Sequence, residues 1–332
     1  MNLLQRIINN TLSLPHNPHA VLSYSLPSGL SYMLDEYQKT IGFIDIDSPE
    51  SLYLSVRWKW RRKKVWQALD DFSRQGGKFI CIPHWPQFPS RDLAQLFSVI
   101  CYASLQPEPY LSPASSINIA NSDFGMNTTL FAPDHAISKK YDILINTWMG
   151  DTIHKGWQHI KYLLPHLKEY HIILIAYKIL TKKDLAWVRQ FPNVEFYDHA
   201  LPKEEFAQKI KESKLVLFPN ILDASPRVIP QSLLCNVPVL VNKAIYGGLQ
   251  YVNEKTGVAA AIEDFPNIIP QLLKRYDQYT EARKFYVDNF GFYTTSQKLA
   301  RFINKQFQTN YKLVYSEEDL YYKQFFTPPD TL

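Results

Sequence analysis

Between Lys214 and Asn242 the chain reads Lys-Leu-Val-Leu-Phe218-Pro219-Asn220-Ile-Leu-Asp223-Ala-Ser225-Pro226-Arg227-Val-Ile-Pro-Gln231-Ser-Leu-Leu-Cys-Asn-Val-Pro-Val-Leu-Val-Asn, and it is followed by Gly247-Gly248 and Gly257. Short apolar runs bounded by turn residues read as fully buried strands. Here two of them flank an acidic loop and a short helix, all within about forty residues. That order belongs to an α/β sheet whose loops gather at the carboxyl ends of parallel strands, where a nucleotide would bind.

The rest of the chain keeps the same alternation, so βα units and parallel sheets are expected throughout. Strands are read at 20–26, 42–46, 78–82 and 116–120, and helices at 30–40, 65–74 and 91–103. After a polar connection over 122–138, the alternation restarts. It gives strands at 141–147, 171–177, 194–197 and 215–218, with helices at 157–167, 182–190 and 203–212. At 332 residues the length fits about two domains. The expected division is 1–135 as an amino-terminal Rossmann-like half, 136–300 as a carboxyl-terminal Rossmann-like half, and a tail over 301–332 that packs back on the first half.

Composition narrows the class. Hydrophobic residues make up 46% and charged residues 20%, enough to bury a substantial core. The three cysteines, Cys81, Cys101 and Cys235, are scattered, so neither a disulfide framework nor a Cys-x-x-Cys metal site is read. The first ten residues lack the apolar core of a secretion signal, and the apolar stretch at 171–180 is about half a membrane span. A soluble cytoplasmic protein is expected. The net charge of +5 suits an anionic partner without choosing among nucleotide, nucleic acid and lipid headgroup.

Ser225 is a good N-cap and Pro226 a good first helical residue, so a helix is expected to start there with its free N–H groups presented to an anion. Arg227 in the first turn could fork onto a phosphate. The plainer alternative is a capped helix with Asp223 and Arg227 solvated. Pro230 would keep the helix short or distorted.

These residues resemble the nucleotide-sugar site of the retaining glycosyltransferases of family 4, which have the two-Rossmann GT-B fold with a cleft between the domains. That family's pattern runs Pro-Ser, Glu-x7-Glu, Ala-x-x-x-Gly-x-Pro-Val-Val and Gly-Gly. Asp223 stands at the first Glu and Gln231 at the second. The resemblance implies that Asp223 and nearby backbone N–H groups meet the donor sugar, with Asn220, Ser225 and Pro226 beside them. Gln231 would hold the ribose through its amide oxygen, without charge assistance.

Upstream, Trp148-Met-Gly150-Asp-Thr-Ile-His-Lys155-Gly156 is similar to the segment where the family places an Arg and a Lys-Gly on the donor diphosphate. Lys155 matches the Lys; Met149 and Gly150 stand where the Arg would be, and Arg227 could substitute. Pro27-Ser28-Gly29 looks like the glycine loop after the first strand, with one Gly where two are usual. His84 resembles the histidine facing the reacting sugar, against the alternative of an ordinary surface histidine. Asn127 and Phe131-Ala-Pro133 are similar to the segment that leads into the second domain.

The resemblance implies a hexosyl- or deoxyhexosyl-type glycosyltransferase with a UDP or GDP sugar donor, a glycan or glycolipid acceptor hydroxyl, and no cofactor or metal. Two alternatives stay open: a noncatalytic nucleotide or carbohydrate binder, and a nucleotide-sugar epimerase of the same fold. Arg57 to Lys64 holds six basic residues in eight, with Trp58, Trp60 and Trp66 nearby. It reads either as a helix face with its Trp residues turned inward or as a contact for an acidic acceptor or a membrane surface. One such cluster is no nucleic-acid footprint on a chain of +5.

Overall fold

The computed structural model describes residues 22–23, 54–55, 80–81, 99–102, 116–119, 126–148, 153–177, 181–223 and 226–307. The chain divides into two compact units, Met1–Gly125 with Phe290–Lys323, and Met126–Asn289 with Gln324–Leu332. In the first unit β1 (Leu22–Ser23) pairs in parallel with β2 (Leu54–Ser55). A second parallel sheet has the order β3 (Ile80–Cys81), β4 (Val99–Tyr102), β5 (Ser116–Asn118).

Two readings change here. Residues 99–102 were expected inside a helix, yet they form the central strand of that sheet. Val-Ile-Cys-Tyr suits a pleated, flanked position, and bonding on both edges outweighs the helical period of the residues before it. The strand at 54–55 went unread, because Leu-Tyr-Leu-Ser-Val is too short to be told from a helix by period alone. The expected elements at 30–40, 42–46 and 65–74 lie outside the described residues.

The second unit is built on six parallel strands, β6 (Tyr141–Trp148), β7 (Ile172–Tyr177), β8 (Val194–Tyr197), β9 (Ser213–Phe218), β10 (Val239–Asn242) and β11 (Gly257–Ala260). Their spatial order is β11-β10-β9-β6-β7-β8. The chain therefore steps outward from β6 through β7 to β8, then returns to lay β9 on the other side of β6. The topological switch point falls between β6 and β9, and ligands of open α/β sheets bind in the crevice outside such a point.

The residues explain the sheet. Ile143, Leu144 and Ile145 point to alternating faces and all three are completely buried, as are Ile172, Ile173 and Leu174, so both faces are covered. One face packs on α1 (Trp157–Leu163) and α5 (Phe265–Lys274), through Trp157, Ile160, Phe265, Ile269 and Leu272. Three more helices follow strands in the same way: α2 (Lys182–Val188), α3 (Lys203–Lys211) and α4 (Val228–Leu234). Beyond α5 come α6 (Ala282–Phe290) and then α7 (Phe292–Phe307), which belongs to the first unit. Among the described residues no helix is long and apolar enough to cross a membrane.

Asn127 shapes the segment that opens this unit. Its Oδ1 accepts from the N–H groups of Thr129 and Leu130, at 3.1 and 2.9 Å, which makes a tight local turn. Arg283 then clamps the turn, donating to the carbonyls of Thr128, Phe131 and Leu234 at 2.7–2.9 Å. It thereby ties the segment to the carboxyl end of α4.

Candidate functional site

Two loops emerge at the switch point, one after β6 and one after β9. The first, 153–156, carries Lys155; the second, 219–223, carries Asp223. Backbone bonds clasp them together: the N–H groups of Ile221 and Leu222 both donate to the His154 carbonyl, at 2.8 and 3.1 Å. Thr147, at the end of β6, donates its hydroxyl to the Lys155 carbonyl at 2.7 Å. His159 Nδ1 lies 2.7 Å from the Pro219 carbonyl. A carbonyl only accepts, so that ring nitrogen carries the proton.

This close approach explains Gly156. Its φ is +74°, and a Cβ there would stand 2.5 Å from the Pro219 carbonyl oxygen. A side chain would meet both backbone strain and rigid main chain. The Lys-Gly pair, uninformative as a bare dipeptide, is thus fixed by the neighbouring loop.

The clasp brings Lys155 Nζ to 2.6 Å from Asp223 Oδ2, although the two residues are 68 positions apart. The side chains are 11% and 18% exposed, so little water screens the pair. Tyr177, at the end of β7, titrates above the ordinary phenol range because burial disfavours its anion and the Asp223 charge adds to the effect. Cation, carboxylate and phenol therefore gather at the carboxyl ends of three adjacent strands.

After Asp223 the chain enters α4, and here the expectation needs correction. The helix begins at Val228, with Arg227 as its N-cap in helical geometry and without a side-chain cap bond. Pro226 is not its first residue. The reason is a contact: Pro226 is buried against Gly248, where a Cβ would come within 2.4 Å of the Pro226 ring. Gly248 has φ +98°, so the second glycine of the pair both turns the chain and leaves room for the proline.

Pro230 sits in the first turn of α4, where its missing N–H has no helical partner to lose. The helix is seven residues long, and two positions past its end stands Asn236, φ +55°, whose Oδ1 accepts from the Arg283 N–H at 2.8 Å. Asparagine tolerates this left-handed position, where the resembling pattern has glycine.

Arg227 and Gln231 are both half-buried, and the Gln231 N–H donates to the Arg227 carbonyl at 3.1 Å, one helical turn apart. Asn220 is buried at the foot of the loop; its carbonyl accepts from Asn242 Nδ2 at 3.2 Å, and its Oδ1 has no partner among the described residues. Ser225, Gly150, Ser28, Gly29, His84 and the 57–64 cluster lie outside the described residues. Sequence reasoning missed Thr147, His159 and Tyr177, none of which falls in a motif. Their roles come from the strand order alone. Among the described residues no group of three or more His, Cys, Asp or Glu could hold a metal ion.

No protein-family description matches the sequence, and no curated protein matches it. Solved structures do match. Anabaena HepE in complex with UDP aligns at TM-score 0.56 and 14% identity, over 76% of this chain and 77% of that one. Sucrose-phosphate synthase from Thermosynechococcus elongatus aligns at TM-score 0.58 and 14% identity, over 86% and 81%. A mutant of S. aureus TarM in complex with fondaparinux, alpha-GlcNAc-glycerol and UDP aligns at 0.59 and 12%, over 82% and 58%. At such identities the likeness establishes the fold, the GT-B architecture built of Rossmann-like domains.

Proposed function

We propose that this protein is a glycosyltransferase that moves a sugar from a nucleoside diphosphate donor to an acceptor hydroxyl. The observation that carries the reading is the meeting of Lys155 and Asp223 at the switch point between β6 and β9, where the fold places ligands. Structures of the same fold bound to UDP, and in one case also to an acceptor-like glycan, support a nucleotide-sugar donor and a glycan-type acceptor.

In this reading the acceptor oxygen attacks the anomeric carbon as the bond to the diphosphate breaks. Negative charge then develops on the phosphate oxygens. Lys155 and Arg227 supply the stabilisation, because fixed cations in a water-poor site act on charge as it forms. Asp223 accepts from hydroxyls of the transferred sugar, and Gln231 accepts from the ribose. Cations from the chain take the part that a divalent ion plays elsewhere, so we read the transfer as metal-independent, and the resemblance as implying a hexosyl-type donor and retained anomeric configuration. The donor side belongs to the half after about residue 136 and the acceptor side to the half before it.

A noncatalytic binder is the second reading, favoured by Gln231 in place of an acid and by Met149 and Gly150 in place of an arginine. The two separate in one experiment. The protein is screened by thermal shift against UDP-, GDP-, ADP- and TDP-sugars in EDTA, where a ligand at ~100 times its Kd adds about 2.7 kcal/mol. Each binder is then assayed for donor hydrolysis and for transfer to glycan acceptors. Transfer in EDTA supports the proposal. Binding without hydrolysis or transfer selects the noncatalytic reading, acceptor-independent isomerisation of the donor selects an epimerase, and no stabilisation by any nucleotide sugar ends all three.

A further inference from the structure

The pairing of Lys155 with Asp223 raises a chemical problem for any diphosphate ligand. The amino group that would meet the phosphates already has a carboxylate 2.6 Å away, and both side chains are largely shielded from water. A phosphate oxygen that bonds the same Nζ comes close enough to that carboxylate for the two anions to repel. The loop that carries Asp223 is also anchored beside Lys155. The two residues before Asp223 are tied by their N–H groups to the His154 carbonyl, one position before Lys155. The same clasp that makes the pair therefore keeps the loop bearing the carboxylate next to the amine that an incoming phosphate would meet.

Hydrogen-bond donors delivered to Asp223 by the ligand relieve this conflict. A nucleoside diphosphate brings none to that position, whereas a sugar attached to the terminal phosphate brings several hydroxyls. We propose that Asp223, by competing for Lys155, selects the sugar-bearing donor over the bare nucleoside diphosphate and so favours release of the spent product. The inference rests on Lys155 being the diphosphate ligand. It gives the shorter carboxylate at 223 a specificity role beyond contact with the sugar, since an aspartate on this loop reaches the lysine itself.

The test measures Kd by calorimetry for inorganic pyrophosphate, UDP and UDP-glucose, on the full chain and on Asp223→Asn, Asp223→Ser and Lys155→Ala. Circular dichroism melts confirm that each variant is folded, and the two substitutions at 223 guard against one failing to fold. We expect either neutral residue at 223 to tighten pyrophosphate and UDP by about tenfold, a charge-assisted bond being roughly that much stronger once its competitor is gone. UDP-glucose should change less, so that the preference for the sugar-bearing ligand collapses. Wild-type or weaker binding of both bare probes by both variants at 223, with Lys155→Ala weakened, overturns the selection role and leaves the diphosphate reading standing. Wild-type affinity of Lys155→Ala for both bare probes overturns the diphosphate reading itself.

Discussion

Strand β6 carries a lysine–carboxylate cluster at each end, and the two are built differently. At its start, Tyr141 donates to Glu195 Oε2 at 2.6 Å, Tyr197 donates to Glu195 Oε1 at 2.6 Å, and Lys209 reaches Tyr141 at 3.0 Å and Glu195 at 3.4 Å. Every member sits on a regular element: β6, β8 or α3. Beyond its other end, Lys155 and Asp223 sit on loops joined by the backbone clasp and braced by Thr147 and His159. Burial disfavours the Lys209 charge, yet the two tyrosines and Glu195 outweigh it and hold the amine well above the ordinary lysine range. Lys209 is thus saturated by fixed partners. The first cluster locks the sheet edge to a helix; the second presents opposite charges where a ligand enters. Two similar ion pairs serve different ends because one is carried by elements and the other by loops at a switch point.

Breaking the clasp should have the largest effect. Gly156→Ala forces a Cβ into the Pro219 carbonyl in a left-handed conformation, and the expected loss is ~2–4 kcal/mol of stability together with donor binding. Denaturant melts and a donor thermal shift measure both; a variant as stable as wild type would show that the loops can part without cost.

The contrast between the clusters is sharpened by cutting each lysine. Lys209→Met should lower stability by ~0.5–1 kcal/mol, since it strips a cation from a carboxylate that is 39% exposed and keeps its two tyrosine bonds, while donor affinity is unchanged. Lys155→Ala should weaken donor binding by ~10-fold or more, losing a charged hydrogen bond worth about 1.5–3 kcal/mol. If both variants lose donor affinity equally, the two ends of β6 are not functionally distinct.

A third carboxylate separates structural from functional charge by pH. Burial works against ionised Asp184, but bonds from Lys161, Thr181 and Trp157 prevail and lower it to about 2. Its folded pKa lies below the unfolded value of about 3.9. Its stabilising contribution, on the order of 1–2 kcal/mol, is therefore complete above about pH 4 and is lost as pH falls towards 2. Asp184→Asn should flatten that part of the stability profile, read from urea melts between pH 2 and 5, without altering donor affinity at pH 7.

The smallest effects belong to Gln231. Gln231→Leu should weaken the donor ~3–10-fold by leaving ribose hydroxyls without an acceptor, whereas Gln231→Glu should hold or tighten binding. Equal donor Kd values across wild type and both variants would remove Gln231 from the ribose subsite.

How much of this was legible varies along the chain. Strands such as β7 could be read because Ile172–Tyr177 is short, bounded by polar residues and rich in β-branched residues, which suits a strand buried on both faces. Strand β4 was misread because its four residues continue a helical period, and only neighbours on both edges override that. The start of α4 was displaced by two residues for a similar reason. Ser225-Pro226 is a local start signal, but Pro226 is captured by Gly248 from twenty-two positions away.

The sequence by itself determined the alternation of strands and helices, the turn glycines and the residue types near 155 and 223, since these follow from local periodicity and backbone preference. The tertiary structure decided that Lys155 and Asp223 meet. That depends on β9 returning to pair beside β6 and not beyond β8, a choice set by burying both faces of a six-stranded sheet. Strand order joins residues that no local pattern connects, which is why the ion pair, the need for Gly156 and the support from His159 and Thr147 became visible only in the folded chain.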